Sequence, residues 1–432
     1  MKWTQEQVLD IAKSLGLDPF PTDFHVVPSE VLYDVAARGI PGRYSHWSHG
    51  KDFYGGITRH NYKMSRIYEL VINSNPSQAY LLDVNSDIIN IMVIAHVYGH
   101  TDFFKHNRAF KNTNRDMPDM SVLRSERMKE YEGKYGEEQV RDMIDSALTL
   151  QFYVDEDGYN PTTKQENNER IVGIYDDILN VDRKHECNNC ADCDCKKDKS
   201  PGLPCNDVLA FLITEAPLED WEKDILSIVR QDGLYFWPQI KTKISNEGWA
   251  SFWHNKIMHK LDLTDGEFVE YAEVNSGVVS SHVASLNPYW LGLQIFKDIE
   301  KRLGIEKLFE VRRLETDSSF LRNYLTKDLV EKLGLIRYGE KYDKYIVTET
   351  EWENVRDGII NDLTSRFPAI QVVNKDYDNR GVLLLKHNYD GRKLKKVSAV
   401  KVLQHIEKLW KKPVYLITNI KNENDITLWK SR

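Results

Sequence analysis

The sequence predicts an α+β protein in which a large, mainly helical region over residues 1–335 precedes a small α+β domain over residues 340–432. Two patterns support this fold class. From about residue 62 to residue 335, apolar residues recur mostly at helical spacing. After residue 340 the pattern changes to short apolar and β-branched runs that end at turn residues, which is typical of strands. Helices followed by a separate group of strands indicate the α+β class.

The composition is that of an ordinary globular protein. The 432 residues are 41% hydrophobic and 29% charged, which is enough chain for two or three domains with their own cores. A net charge of -8 argues against nucleic-acid binding, which needs a basic excess. The sequence has no run of 18 apolar residues and no signal-peptide pattern at its N-terminus. We therefore expect a cytoplasmic protein that does not insert into membranes.

The helical region begins with residues 1–20, which have the pattern of an amphipathic helix that stops at Gly16. Residues 21–58 mix proline, glycine, aromatic residues and histidine, and we expect irregular structure there. A polar segment, residues 155–207, interrupts the helical stretch that follows. Further on, Pro238 suits the first turn of a helix that runs to about Leu261.

The C-terminal domain is predicted from short apolar runs, turn residues and one helix. Turns are expected at 378–381 and 388–391, where aspartate, asparagine and glycine cluster. The predicted strands are 345–348, 370–373, 382–387, 414–418 and 426–429, and the predicted helix is 397–411.

A nearly all-apolar run that starts at Ile88 ends in two histidines, His96 and His100. On an α-helix, positions four apart lie on one face, so the two imidazoles can bind one metal ion. Burying two imidazoles is costly unless each finds a partner. The alternative is a pair of core histidines that hydrogen bond to the backbone.

A third ligand is expected from the segment that runs from Asn246 to His254. A site with two histidines needs at least one more ligand, and aspartate or glutamate is usual where zinc is catalytic. Glu247 and His254 are seven residues apart and therefore share one helical face. We predict Glu247 as the ligand and His254 as an acid–base or orienting group. Alternatively, these two side chains satisfy each other or cap a neighbouring helix.

Two further carboxylates are candidates for catalytic roles. Glu69 lies in an apolar segment and is expected to face a site or a core, or to form a salt bridge. Asp102 follows His100 closely and could hold a metal-bound histidine in orientation. In zinc peptidases with His-Glu-x-x-His, the glutamate activates water, but this chain has Val97 there. The predicted metal-dependent hydrolase site therefore lacks its usual base.

All five cysteines of the chain fall between residues 187 and 205. Cys-x-x-Cys pairs on a loop suit thiolate coordination, so the cluster could hold a second Zn²⁺ or an iron–sulfur cluster. The second half of a zinc-ribbon spacing is missing, and reduced thiols on an insert at about residues 185–207 are the alternative. The four candidate ligands are Cys187, Cys190, Cys193 and Cys195.

Several ordered stretches make the chain similar to the SpoVR family, named for stage V sporulation protein R. They include Tyr68 to Pro76, Val93 to Lys105, Trp221 to Arg230, Tyr235 to Gln239, Asn246 to Ala250 and Phe320 to Leu325. The segment from Glu247 to Ala250 also resembles the third-ligand segment of gluzincin-type zinc peptidases. This second resemblance implies a zincin-like fold for residues 1–335, with Zn²⁺ at His96, His100 and Glu247.

The family resemblance implies a cellular role more than a reaction. The family is associated with spore cortex formation and, in bacteria that make no spores, with a stress response. It also implies two partners, an AAA-type serine protein kinase and a von Willebrand-like protein. Two functions stay open: a metal-dependent hydrolase acting on a peptide or amide bond, and a non-catalytic scaffold whose C-terminal module binds a partner.

Overall fold

The computed structural model describes residues 4–61, 69–155, 203–280, 286–341, 344–364, 367–419 and 426–431. The chain divides into two compact units, each built from two separate stretches of sequence. One unit is Met1–Glu126 with Pro238–Thr364, and the other is Arg127–Trp237 with Ser365–Arg432. The predicted boundary near residue 340 stays a prediction. Among the described residues, no helix is both long and apolar enough to cross a membrane.

Helices make up most of the described chain. The helices, in chain order, are α1 (Gln5–Ser14), α2 (Ser29–Arg38), α3 (Trp47–Asn61), α4 (Asp87–His106), α5 (Met117–Tyr135), α6 (Glu137–Leu148), α7 (Val208–Glu215), α8 (Asp220–Lys241), α9 (Lys243–Met258), α10 (Asp265–Val278), α11 (Pro288–Leu303), α12 (Ile305–Leu314), α13 (Asp317–Tyr324), α14 (Lys327–Leu333), α15 (Trp352–Thr364) and α16 (Lys396–Trp410).

The strands form three small sheets. In the first, β1 (Thr22–Val27), β2 (Glu69–Ile72) and β3 (Ser77–Leu82) lie in the order β1-β3-β2, with β1 parallel and β2 antiparallel to β3. The second is the antiparallel pair β4 (Arg337–Lys341) and β5 (Lys344–Glu349). The third contains β6 (Ile370–Tyr377), β7 (Val382–His387), β8 (Val414–Asn419) and β9 (Ile426–Lys430) in sequence order, with a parallel β7–β8 pair.

The mainly helical architecture with a small C-terminal mixed sheet is confirmed, while two local predictions are wrong. Residues 21–58 form β1, α2 and α3 instead of irregular structure, because β1 is stabilised by pairing with the distant β3. Pro238 lies near the end of α8 and does not start a helix. Helix α9 begins later because Asp317 accepts hydrogen bonds from the free backbone N–H groups of Ile244 and Ser245, both at 2.8 Å.

Close contacts between helices organise the core of the first unit. Helix α4 is buried along almost its whole length, from Ile88 to Phe104. A Cβ atom added to Gly99 would come within 2.7 Å of Ala250 Cα in α9. A Cβ atom on Gly248 would come within 2.4 Å of Gly292 Cα in α11. Helix α9 is therefore held between α4 and α11 at distances that only small residues allow.

Candidate metal centre

The two histidines of α4 meet two carboxylates, one from β2 and one from α9. One ligand atom from each of Glu69, His96 and His100 lies within 4.8 Å of the others. Glu69 Oε1 is 3.3 Å from His96 Nε2. Glu247 Oε2 lies 3.4 Å from His96 Nε2 and 3.3 Å from His100 Nε2. The structure thus brings His96 and His100 of α4 together with Glu247 of α9.

These distances fit a metal ion better than they fit hydrogen bonds. Hydrogen bonds from a charged nitrogen to a carboxylate are about 2.7–2.9 Å long. A tetrahedral zinc ion with bonds of about 2.0–2.1 Å places its ligand atoms about 3.3–3.4 Å apart. Both His96 Nε2 and Glu247 Oε2 are buried atoms without a hydrogen-bond partner. The donor set of two imidazoles and carboxylates is also one that zinc accepts.

Hydrogen bonds at the other ring nitrogens aim both imidazoles at the carboxylates. His100 Nδ1 lies 2.9 Å from Asn246 Oδ1, to which it donates. His96 Nδ1 lies 2.8 Å from Nδ1 of His254. In both residues Nε2 is left to face the carboxylates. Metal-binding histidines usually have such a partner on the second nitrogen, which fixes the ring and its tautomer.

The charge of Glu247 is compensated by neighbouring cations. Its Oε1 forms an ion pair with Lys243, one helical turn earlier. Burial alone would raise the pKa of Glu247, but Lys243 and His100 bring it well below its usual value. Burial would also lower the pKa of His100, yet Glu247 keeps it above the ordinary value. An ionised carboxylate is therefore present in the centre at neutral pH.

A buried tyrosine lies beside the same centre. The ring of Tyr289 stacks on His96 with centroids 5.9 Å apart. Burial, together with Glu247 and Glu69, raises the pKa of Tyr289 well above its usual value. The phenol therefore keeps its proton and can act as a hydrogen-bond donor.

The hydrogen-bond partners of Asp102 are not the histidines that the sequence led us to expect. Its carboxylate accepts hydrogen bonds from Arg312 Nη1, Trp249 Nε1 and the backbone N–H of Asp18, all at 2.8–2.9 Å. The aspartate is fully buried and ties α4 to α9 and α12. These contacts correspond to a structural role, since a buried carboxylate needs a cation and donors.

The other candidates divide into residues near the centre and residues that the structure does not describe. His254 contacts His96 directly, and Glu69 enters the centre from an edge strand. The sequence did not single out Asn246, Lys243 or Tyr289. Asn246 and Lys243 are close neighbours of Glu247 on α9, and this closeness in sequence could have indicated that they lie beside the centre. The cysteine candidates Cys187, Cys190, Cys193 and Cys195 lie outside the described residues. Cys205 is described: it is buried, and its backbone pairs with that of Val372.

Family models cover almost the entire chain. Residues 1–367 match the family described as SpoVR like protein. The chain belongs to the SpoVR-like family. Residues 368–421 match the SpoVR-like C-terminal domain, so the SpoVR-like match continues through β6, β7 and β8. The chain is also similar to Uncharacterized protein YcgB of Escherichia coli (strain K12), with 28% identity over 454 residues that cover 93% of this chain and 88% of that protein. No solved structure matches the chain.

Proposed function

We propose that this SpoVR-like chain binds a divalent metal ion, Zn²⁺ by preference, in a gluzincin-like hydrolase site. His96, His100 and Glu247 hold the ion in this proposal. The observation that carries it is the buried pair His96 Nε2 and Glu247 Oε2, which are 3.4 Å apart and have no hydrogen-bond partner. Leaving such atoms unpaired in a core is costly, and a cation between them would remove that cost.

A bound zinc ion would supply Lewis-acid polarisation of a carbonyl group and would lower the pKa of water. In the proposed hydrolase, Glu69 is the proton acceptor that replaces the glutamate missing at Val97. Its side chain is 16% exposed, against 6% for Glu247, so a reactant reaches Glu69 more easily. Tyr289 donates a hydrogen bond to a substrate oxygen, since it holds its proton beside the centre. The reaction class is hydrolysis of a peptide or amide bond, and the zincin-like fold belongs to the same proposal.

Metal analysis tests the binding proposal directly. Protein purified without chelators is expected to contain close to one equivalent of zinc, and His96→Ala and His100→Ala are expected to lose it. His25→Ala is the matched control, because His25 is exposed on β1 and has Gln78 as its partner. Wild-type protein that stays metal-free after incubation with Zn²⁺, as measured by mass spectrometry of the eluted metal, would contradict the proposal.

The second candidate is a non-catalytic scaffold that acts with an AAA-type serine protein kinase and a von Willebrand-like protein. The buried position of Val97 favours it, because the usual catalytic glutamate is replaced by a core residue. In this case His96→Ala would lose metal but keep its partners in a pull-down from cells. A role in cortex formation or in a stress response is proposed on the family relationship for either candidate.

A further inference from the structure

Behind His96, a chain of hydrogen bonds runs through α9 and α10 and ends at a backbone carbonyl group. We call it the amide chain. His96 Nδ1 contacts His254 Nδ1 at 2.8 Å, and His254 Nε2 contacts Asn275 Oδ1 at 2.9 Å. Asn275 Nδ2 is 3.1 Å from Asn255 Oδ1, and Asn255 Nδ2 is 2.7 Å from the carbonyl oxygen of Ser251.

The direction of every hydrogen bond in the amide chain follows from its last member. The Ser251 carbonyl oxygen can only accept, so the Asn255 atom that faces it must be the amide nitrogen. Asn255 Oδ1 then points at Asn275 and accepts from its nitrogen. The Tyr271 hydroxyl lies 2.6 Å from the same Asn255 oxygen, but a hydroxyl can donate or accept, so it does not set this orientation. Asn275 therefore presents its oxygen to His254.

An oxygen at this position requires a proton on His254 Nε2. His254 is 1% exposed, and its hydrogen-bond partners His96 and Asn275 are an imidazole and an amide, neither of which can balance a charge, so the ring is neutral and carries one proton only. Its Nδ1 is then a bare acceptor, and the proton between the two rings belongs to His96 Nδ1. Asn255 Nδ2 also lies 3.4 Å from His254 Nε2, but this contact is long beside the 2.9 Å contact of the same ring nitrogen with Asn275 Oδ1.

We propose that Asn255 and Asn275 are positioning residues that set the tautomer of His96 through His254, so that His96 Nε2 is the nitrogen available to a metal ion. The inference rests on the metal centre proposed above and deepens it. It also distinguishes the two histidines: His100 relies on one amide, Asn246, whereas His96 depends on three residues on two helices. The absence of a carboxylate from the amide chain leaves Glu69 and Glu247 as the anionic partners of His96.

The tautomers can be measured without any metal. In ¹⁵N-histidine-labelled, metal-free protein, NMR should show His254 protonated at Nε2 and bare at Nδ1, and His96 protonated at Nδ1. The variants His96→Gln and His254→Gln assign the signals. A proton on His254 Nδ1 in the wild type would overturn the proposal. This result does not depend on whether the protein binds zinc, so failure of the metal proposal is recognised separately.

Metal affinity then tests the consequence. Asn275→Leu removes the oxygen that faces His254, so both rings should populate mixed tautomers and the Zn²⁺ affinity should fall about 10–100-fold in competition with a chromophoric chelator. Tyr271→Phe is the matched control: it removes a hydrogen bond to Asn255 but leaves the amide chain intact, and should retain both the tautomers and the affinity. Equal losses in the two variants, or an unchanged affinity in Asn275→Leu, would mean that these residues act only through stability.

Discussion

At the residue scale, the two carboxylates of the centre differ in their surroundings. Glu247 is nearly fully buried, contacts both histidines and pairs with Lys243. Glu69 is more exposed and lies 3.3 Å from His96 alone. In the function proposed above, Glu247 is accordingly the metal ligand and Glu69 the proton acceptor.

This division of roles predicts different outcomes for two isosteric variants. Glu247→Gln should lose most of the bound zinc, since an amide is a poorer ligand and the charge that stabilises the cation is gone. Glu69→Gln should retain the metal and lose the activity, because an amide cannot accept the proton. Metal content and hydrolysis of a peptide library report the two effects. Loss of zinc from Glu69→Gln would instead make Glu69 a ligand.

The helical residues of the centre could be predicted from the sequence, but the strand that carries Glu69 could not. His96, His100, Glu247 and His254 followed from helical periodicity, because spacings of four and seven are read directly along one helix. Glu69 was singled out as a lone carboxylate, yet its strand was not predicted. Strand β2 is short and pairs with β3, opposite Leu81, and such pairing depends on another part of the chain. The hydrogen-bond partners of Asp102 are also distant in sequence, so its contacts could not be predicted from the neighbouring residues.

At the element scale, small residues allow the close approach of the helices that carry the proposed ligands. Gly99 lies between the two histidines in sequence and contacts Ala250 of α9. Gly248 directly follows Glu247 and contacts Gly292. A larger residue at either position would collide with the backbone of the neighbouring helix.

We expect Gly99→Ala to destabilise the protein by about 1–3 kcal/mol and to weaken zinc binding. The added methyl group would meet the backbone of α9 at 2.7 Å, and backbone cannot move aside cheaply. Gly277→Ala on α10 is the control, because its Cβ would enter open space and should be neutral or slightly stabilising. Denaturant unfolding and zinc titration measure both. Equal stability and equal zinc affinity of the two variants would show that neither depends on the close contact between α4 and α9.

The start of α9 should make stability depend on pH. Burial raises the pKa of Asp317 from 3.8 to about 7, although the hydrogen bonds from Ile244 and Ser245 lower it in part. The folded state therefore binds this proton more tightly than the unfolded state. The stabilisation is fully present below the unfolded pKa and is lost as pH rises through the folded pKa.

Between pH 4 and pH 7, the free energy of unfolding of the wild type should accordingly fall relative to that of Asp317→Asn, by on the order of 4 kcal/mol at most. Urea unfolding at several pH values measures this difference. Parallel pH profiles for the two proteins would show that the carboxylate is not the titrating group.

At the scale of the whole molecule, the strands and helix beyond residue 365 were predicted closely because their apolar runs are short and well bounded by turns. Asp378 and Gly381, for example, adopt positive φ angles as turn residues do. The division into units was not visible in the sequence. Each unit joins stretches more than a hundred residues apart, such as the paired backbones of Cys205 and Val372.

A chain that ends at residue 335 tests the domain boundary. It would lose α15, whose Val355 and Ile360 lie in the core of the first unit. It would also lose β6 to β9, which belong to the second unit with residues 127–237. We expect this truncated protein to melt at a lower temperature and to bind a hydrophobic dye. A cooperative transition at the wild-type temperature would support the boundary near residue 340.

The discontinuous units have a consequence for the order of events during synthesis. His96 and His100 leave the ribosome long before Glu247, and the first unit is complete only when the chain has reached Thr364. Until α9 has been synthesised, the two imidazoles have no carboxylate partner from that helix. If the proposed zinc site forms, the ion would therefore be acquired after most of the chain has been translated, and metal supply would act on late folding rather than on the nascent N-terminal segment.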